Sequence, residues 1–189
     1  YGCGIEINEV GWLYGKAKLQ PAPEEDVLER NRQISSKSKG IRESHLAKLP
    51  EFFKVCYSPT VLRYLLAARQ WLDWKHNPVD ATLMAIILIY LHGAKEKSLS
   101  NQMRQGKAMA PEYSVNWWRE HESNPPNLQP MKFMDQRIRW RYAKGLPQLH
   151  SGSALRGDSI EHLDYLRADV EAGSVPRFDL LFTSPPYYN

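Results

Sequence analysis

Near its carboxyl end the chain contains a mostly apolar run, residues 178–182. Two adjacent prolines, Pro185 and Pro186, follow this run. A mostly apolar run of this length predicts a buried β-strand. Proline has no backbone N–H donor, so the two prolines end any sheet hydrogen bonding and stiffen the loop that follows. In open α/β sheets ligands bind just beyond the carboxyl ends of the strands. We therefore expect an α/β fold in which residues 183–189 carry the chemistry.

This loop reads Thr183-Ser184-Pro185-Pro186-Tyr187-Tyr188-Asn189. A hydroxyl group, carbonyl groups fixed by prolines and an exposed ring suit a planar base that carries an exocyclic amine. The string Thr-Ser-Pro-Pro-Tyr after an apolar strand resembles the catalytic motif of the amino-group DNA methyltransferases. These enzymes methylate N4 of cytosine or N6 of adenine with S-adenosylmethionine. The alternative, a turn that ends a strand and buries a tyrosine, explains neither of the two further matches described below.

The resemblance implies that Ser184, Pro185, Pro186 and Tyr187 are catalytic and that Thr183 contacts the cofactor. The target base must first leave the duplex, because an amine inside paired DNA cannot reach a methyl donor. Tyr187 is then expected to stack on this base, while the Ser184 side chain and the Pro185 carbonyl accept hydrogen bonds from the amine. Positioning supplies much of the rate, since the leaving group is already cationic. Serine in the first slot, where adenine-specific members more often carry Asp or Asn, favours N4 of cytosine.

The first eight residues predict a strand with the polar residues Glu6 and Asn8 at its end. A helix from Val10 to Leu19 is expected to follow. In nucleotide-binding α/β folds an acidic residue at the end of the second strand accepts hydrogen bonds from ribose hydroxyls. The segment 4–8, Gly-Ile-Glu-Ile-Asn, is also similar to the second motif of the methyltransferases. Glu6 is therefore our candidate ribose ligand. The alternative is a surface glutamate that ends a strand.

A second strand and helix precede the apolar run. Residues 154–159 predict a short strand that ends in Asp158, and apolar residues at helical spacing follow from Ile160, as parallel α/β topology requires. Gly157-Asp158-Ser159 resembles the third motif of the family, whose aspartate approaches the adenine amine of the cofactor. Asp158 is equally suited to be the N-cap of the helix.

The glycine-rich first motif of the family, which would hold the methionine part of the cofactor, is expected before Tyr1. In the family's sheet, the strand of that motif lies between the strand at 1–8 and the strand at 178–182. We therefore expect these two strands to lack a neighbour, and the chain to be an incomplete fragment that is inactive alone. The predicted fold is a partial Rossmann-like S-adenosylmethionine-dependent methyltransferase sheet with a large, mostly helical insertion.

Residues 1–20 and 151–189 are assigned to the catalytic domain, and residues 21–150 to the insertion, a possible target-recognition region. The polar stretch 20–40 predicts a linker or a mobile loop. Between residues 49 and 93, apolar side chains at helical spacing predict two or three packed helices. Two of them are expected to begin at Ser58-Pro59 and Asn77-Pro78.

Positive charge is concentrated in the middle of the chain: residues 101–150 carry 8 basic and 4 acidic side chains, against 3 and 6 in residues 151–189. Polar and aromatic residues between 98 and 119 have the chemistry of base-edge reading and phosphate contact. Further along, residues 137–144 interleave cations with rings, as in segments that grip a DNA backbone while an aromatic ring fills the gap left by a flipped base. The candidate DNA contacts are Arg137, Arg139, Arg141 and Lys144. The alternative is an amphipathic helix whose arginines cover a core face.

The composition, 42% hydrophobic and 24% charged, is that of a globular protein. Cys3 and Cys56 lie far apart and the histidines have no paired spacing, so we expect no metal site. Nothing resembles a secretory signal, and the longest apolar run, residues 81–91, is about half the length that spans a bilayer. A cytoplasmic protein without a membrane span is expected.

Together these patterns predict a site-specific DNA methyltransferase. It would transfer a methyl group from S-adenosylmethionine to a flipped base of double-stranded DNA, with a cognate restriction endonuclease as a candidate partner. Two alternatives stay open. One is an RNA methyltransferase with a similar loop, and the other is a non-catalytic DNA-binding module.

Overall fold

The computed structural model describes residues 1–94, 97–102, 110–146 and 152–183. The chain divides into two compact units, a discontinuous one of residues 1–19 with 147–189 and a continuous one of residues 20–146. Helices predominate, and the strands in the described ranges form a two-stranded parallel sheet, so the fold is α/β. No helix within those ranges is long and apolar enough to cross a membrane.

The elements, in chain order, are β1 (Gly2–Glu6), α1 (Glu9–Leu19), α2 (Glu24–Ser38), α3 (Glu43–Ala47), α4 (Glu51–Cys56), α5 (Pro59–Trp71), α6 (Pro78–Ile89), α7 (Pro111–Glu120), α8 (Pro130–Tyr142), β2 (Gly152–Arg156) and α9 (Ser159–Glu171). The discontinuous unit contains β1, α1, β2 and α9, and the helical unit contains α2 to α8.

In the discontinuous unit, β1 and β2 pair in parallel, from Gly2 opposite Gly152 to Glu6 opposite Arg156. Glycine at position 152 permits this close approach, because a Cβ there would lie 2.9 Å from the Gly2 carbonyl oxygen. Helix α1 packs on β2, and the indole Nε1 of Trp12 donates a hydrogen bond of 2.9 Å to the Ala154 carbonyl. The two predicted strand–helix segments are confirmed.

The apolar run 178–182 is not a strand, which corrects the prediction of a buried strand there. Leu180, Leu181 and Phe182 are 82%, 78% and 90% exposed. A strand needs a hydrogen-bonded neighbour, and in the part of the chain that the structure describes the sheet contains only β1 and β2. The expectation that the first strand would also lack a neighbour is wrong, because β1 pairs with β2.

In the helical unit, α2 packs against α5, α6 and α8. Its residues Val27, Leu28 and Ile34 are fully buried in the apolar core. This corrects the prediction of a linker or mobile loop over residues 20–40. The stretch is polar because most of a surface helix faces water, while its few apolar residues recur at helical intervals on the buried side.

Two helices begin where the sequence places an N-cap before a proline. Ser58 caps α5, with its Oγ accepting a hydrogen bond of 3.4 Å from the Val61 amide. Asn77 caps α6, with its Oδ1 accepting from the amides of Val79 at 2.9 Å and Asp80 at 3.1 Å. Proline is tolerated in the first turn because its missing N–H has no intrahelical partner there. Both predicted helix starts are confirmed.

Polar side chains also tie α2 to its neighbours. Arg30 donates from Nε and Nη2 to the two carboxylate oxygens of the buried Asp80, at 2.6 and 3.2 Å. Asn31 donates to Asp135 and accepts from the Tyr64 hydroxyl, both at 2.7 Å. Because buried polar groups are costly unless they are paired, these bonds fix the positions of the helices that contribute them.

Candidate functional site

The carboxyl ends of β1 and β2 meet at one edge of the sheet because the two strands are parallel. Glu6 ends β1 opposite Arg156, the last residue of β2. The amide of Gly157 donates a hydrogen bond of 3.2 Å to the Glu6 carbonyl, and Asp158 follows directly. The structure therefore brings two predicted cofactor ligands, Glu6 and Asp158, to the same edge.

The Glu6 side chain is held at the start of α1. Its Oε1 accepts a hydrogen bond of 2.8 Å from the Asn8 amide, and Asn8 in turn accepts from the Val10 amide at 2.8 Å. Glycine at position 11 leaves room for the carboxylate, since a Cβ there would lie 2.8 Å from Glu6 Oε2. The carboxylate is thus placed by its neighbours, although it remains exposed to solvent.

Asp158 is the N-cap of α9, because its Oδ1 accepts a hydrogen bond of 2.8 Å from the Ile160 amide. The capping role that the sequence offers as an alternative is therefore present. A carboxylate has further lone pairs, so capping leaves acceptor capacity for a ligand. The preceding Gly157 has a φ of +150°, and the His162 ring occupies the space that a side chain at position 157 would need.

A concavity of about 1300 Å³ lies along β1 in the same unit. Its walls are residues 1–5, one face of α9 with both apolar and charged residues, and residues 177–183. Thr183 lines this concavity, whereas neither Glu6 nor Asp158 does. Of the three predicted cofactor residues, Glu6 and Asp158 therefore lie at the carboxyl edge of the sheet, and Thr183 lies in the concavity.

The four predicted catalytic residues, Ser184, Pro185, Pro186 and Tyr187, lie outside the described residues. Thr183, which immediately precedes them, is exposed. The catalytic assignment therefore stays a prediction from the motif.

Three of the four predicted DNA contacts share one side of α8 and the turn after it. Arg137, Arg141 and Lys144 follow one another at helical spacing. The guanidinium carbons of Arg137 and Arg141 lie 5.1 and 5.5 Å from the centre of the Tyr90 ring. Arg137 and Arg141 therefore cover ring surfaces, as the alternative of an amphipathic helix predicts. Their charged groups nevertheless lie on one side of α8.

Arg139 belongs to another side of α8, since two residues correspond to more than half a helical turn. Its Nη1 lies 3.9 Å from a carboxylate oxygen of Glu24. On that side Tyr142 donates a hydrogen bond of 2.5 Å to the Ala22 carbonyl. Burial, with a smaller effect of Glu24, raises the pKa of Tyr142 to about 12. The structure therefore separates Arg139 from the other three cations.

Part of the predicted recognition surface is buried, which corrects that prediction for residues 98–101. The side-chain amide of Asn101 donates a hydrogen bond of 2.8 Å to the Ser123 carbonyl. The buried Trp118 donates from its indole to the Gln102 carbonyl at 2.6 Å. Polar side chains in these positions satisfy loop backbone groups and cannot reach a base edge.

Trp140 is a candidate binding residue beside the four predicted cations, and it belongs to the segment in which the sequence predicts a DNA-contacting ring. It is 65% exposed, and the guanidinium carbon of Arg141 lies 5.4 Å from its ring centre. Its place between Arg139 and Arg141 is the sequence signal that points to it.

No protein-family model, curated protein or solved structure matches the chain.

Proposed function

We propose that the chain forms part of a cytoplasmic, site-specific DNA methyltransferase. The enzyme transfers a methyl group from S-adenosylmethionine to a base flipped out of double-stranded DNA, at N4 of cytosine in preference to N6 of adenine. The observation that carries the proposal is the shared position of Glu6 and Asp158 at the carboxyl edge of a parallel strand pair. Ligands of open α/β sheets bind at this edge, and Thr-Ser-Pro-Pro-Tyr follows in the chain.

In this proposal the strand pair is part of a Rossmann-like methyltransferase sheet, and the helical unit is an insertion into it. The partner of such an enzyme would be a cognate restriction endonuclease.

The residues at the edge suit the cofactor chemically. Ribose hydroxyls and an adenine amine are hydrogen-bond donors, and carboxylates are acceptors. Glu6 would hold the ribose, Asp158 the adenine amine, and Thr183 would add a contact from the loop. When bound, the cofactor supplies an electrophilic methyl group.

The loop residues orient the target amine. The Ser184 hydroxyl and the Pro185 carbonyl accept hydrogen bonds from it and so direct its lone pair, while Tyr187 stacks on the base and Pro186 stiffens the loop. No covalent enzyme intermediate is required. Burial raises the pKa of the Cys56 thiol to about 12, so Cys56 itself lacks the thiolate character of a nucleophile.

The test uses the full open reading frame of the gene. The purified protein is incubated with methyl-labelled S-adenosylmethionine and unmethylated DNA, and the digested nucleosides are identified by mass. N4-methylcytosine supports the proposal, and N6-methyladenine overturns the preference for cytosine while retaining the enzyme class. Label in RNA alone favours an RNA methyltransferase. No label in either polymer favours a non-catalytic DNA-binding module.

A matched pair of variants separates catalysis from binding. Ser184→Ala is expected to lower turnover roughly 10²- to 10³-fold, the cost of removing one fixed hydrogen-bonding group from a reacting centre. Affinity for duplex DNA should remain unchanged. The control Ser44→Ala, on an exposed position of α3, is expected to change neither quantity.

A further inference from the structure

Trp140 is unusual among the six tryptophans because it is the exposed one, at 65%, whereas the other five are buried or partly buried. Most of its ring faces water, next to the guanidinium group of Arg141. An exposed ring flanked by cations is the arrangement with which proteins stack on the bases of single-stranded nucleic acids.

Two cations on this side of α8, Arg137 and Arg141, are held in place over aromatic rings. Arg137 lies 4.8 Å from the ring centre of Phe133, and both Arg137 and Arg141 lie over Tyr90. Among the described residues, Arg137, Arg141 and Lys144 form no ion pair. The Nε of Arg137 is buried, so this residue can meet an anion only through the end of its guanidinium group.

The acidic side chains near α8 are engaged elsewhere. Asp135 accepts a hydrogen bond from Asn31, and Glu24 lies beside Arg139 on another side of the helix. Positive charge on the side of Arg137 and Arg141 is therefore available to an anionic ligand.

We propose that the α8 face, made of Arg137, Trp140, Arg141 and Lys144, binds single-stranded DNA. Trp140 stacks on an unpaired base, and the three cations contact phosphates on either side of it. From Arg137 to Arg141 the face spans about 6 Å along the helix axis, and Lys144 extends it into the turn that follows α8. A paired base hides its faces within the stack, so a duplex would use the cations but not the ring. The binding requires neither the cofactor nor the loop after Thr183.

The test measures the affinity of the full chain, without cofactor, for a fluorescent single-stranded DNA oligonucleotide and for its duplex. The single strand is expected to bind more tightly. Trp140→Ala should weaken this binding roughly 5- to 150-fold, whereas Trp140→Phe should retain most of it. The variants are expected to keep the native helical circular dichroism, because the side chain is exposed.

Salt dependence separates the roles of the ring and the cations. Arg141→Gln should reduce the slope of log affinity against log salt by about 0.7, the value for one phosphate contact on a single strand. Trp140→Ala should leave the slope unchanged. Lys48→Gln removes the same charge from an exposed position after α3 and should change neither slope nor affinity.

Three results would overturn this proposal: unchanged affinity in Trp140→Ala, tighter binding of the duplex, or tighter binding of single-stranded RNA of the same sequence. Each is measured without methyl transfer, so failure here and failure of the proposed enzyme activity are distinguishable.

Discussion

Gly157 organises the carboxyl edge of the sheet because it has no side chain. Its amide bonds to Glu6, its φ of +150° lies in the region that favours glycine, and the His162 ring lies against it. The Nε2 of His162 is in turn 2.9 Å from the Arg156 carbonyl. The positions of Glu6 and Asp158 relative to each other therefore depend on a residue that makes no ligand contact in the proposed site.

Gly157→Ala is expected to destabilise this edge by about 1–3 kcal/mol, since its Cβ would overlap His162 and its backbone would be strained. Amide hydrogen exchange of residues 152–171, followed by mass spectrometry, should accelerate accordingly. Gly4→Ala is the control, because a Cβ at Gly4 meets no atom within 4 Å. Equal exchange in the two variants would contradict this account.

Sequence alone locates Glu6 and Asp158, because strand ends and motif matches are local features. The sequence also predicts that Arg139 lies on a different side of the helix from Arg137 and Arg141, because the spacing of residues along a helix determines which side each one faces. It does not reveal that His162 fills the space beside Gly157, or that Trp140 is the exposed tryptophan. Those facts depend on which side chains meet in three dimensions.

Some helices and strands are determined by neighbouring residues in the sequence, and others depend on residues far away in the chain. The starts of α5 and α6 are predictable, because an N-cap and a proline act within one turn. The polar composition of residues 20–40 predicts a loop, whereas the helical spacing of their few apolar residues would have predicted helix α2. The run 178–182 has the composition of a strand, but a strand also requires a neighbour, and composition does not supply one.

The cap of α6 gives a quantitative test at this scale. Asn77→Ala should lower the free energy of unfolding by about 1 kcal/mol, because the Val79 and Asp80 amides lose their acceptor. Asn77→Gly should cost only a few tenths of a kcal/mol, since an exposed backbone admits water to the same amides. Urea unfolding of both variants provides the comparison. Equal stability of the Ala variant and the native chain would show that the cap is not formed.

At the scale of the whole molecule, the apolar core is distributed unevenly between the two units. Among the described residues, Leu13 is the only buried hydrophobic side chain of the discontinuous unit, whereas the helical unit holds the large apolar cluster. Helix α9 has no buried residue. Since apolar burial is the main favourable term in folding, the helical unit should be the more stable of the two.

The helical unit also has the geometry of an insertion, because the bond from Tyr142 to the Ala22 carbonyl joins its first and last segments. Once this unit is folded, Ala22 and Tyr142, which lie near its two ends in the sequence, are held side by side. The entropic cost of pairing β1 with β2 is then lower, because no long flexible loop has to be closed. We therefore expect residues 20–146 to fold without the remainder of the chain.

Residues 20–146, expressed alone, are expected to give helical circular dichroism and one cooperative thermal transition. The transition should lie within a few degrees of that of the helical unit in the full chain, because the buried cluster and the Arg30–Asp80 pair are both contained in this segment. Leu83→Asp is the control, since an unpaired carboxylate at that fully buried position should abolish the transition. A gradual, non-cooperative melt of the native segment would mean that the helical core depends on residues outside 20–146. The core would then not be the part of the molecule that brings the two strands together.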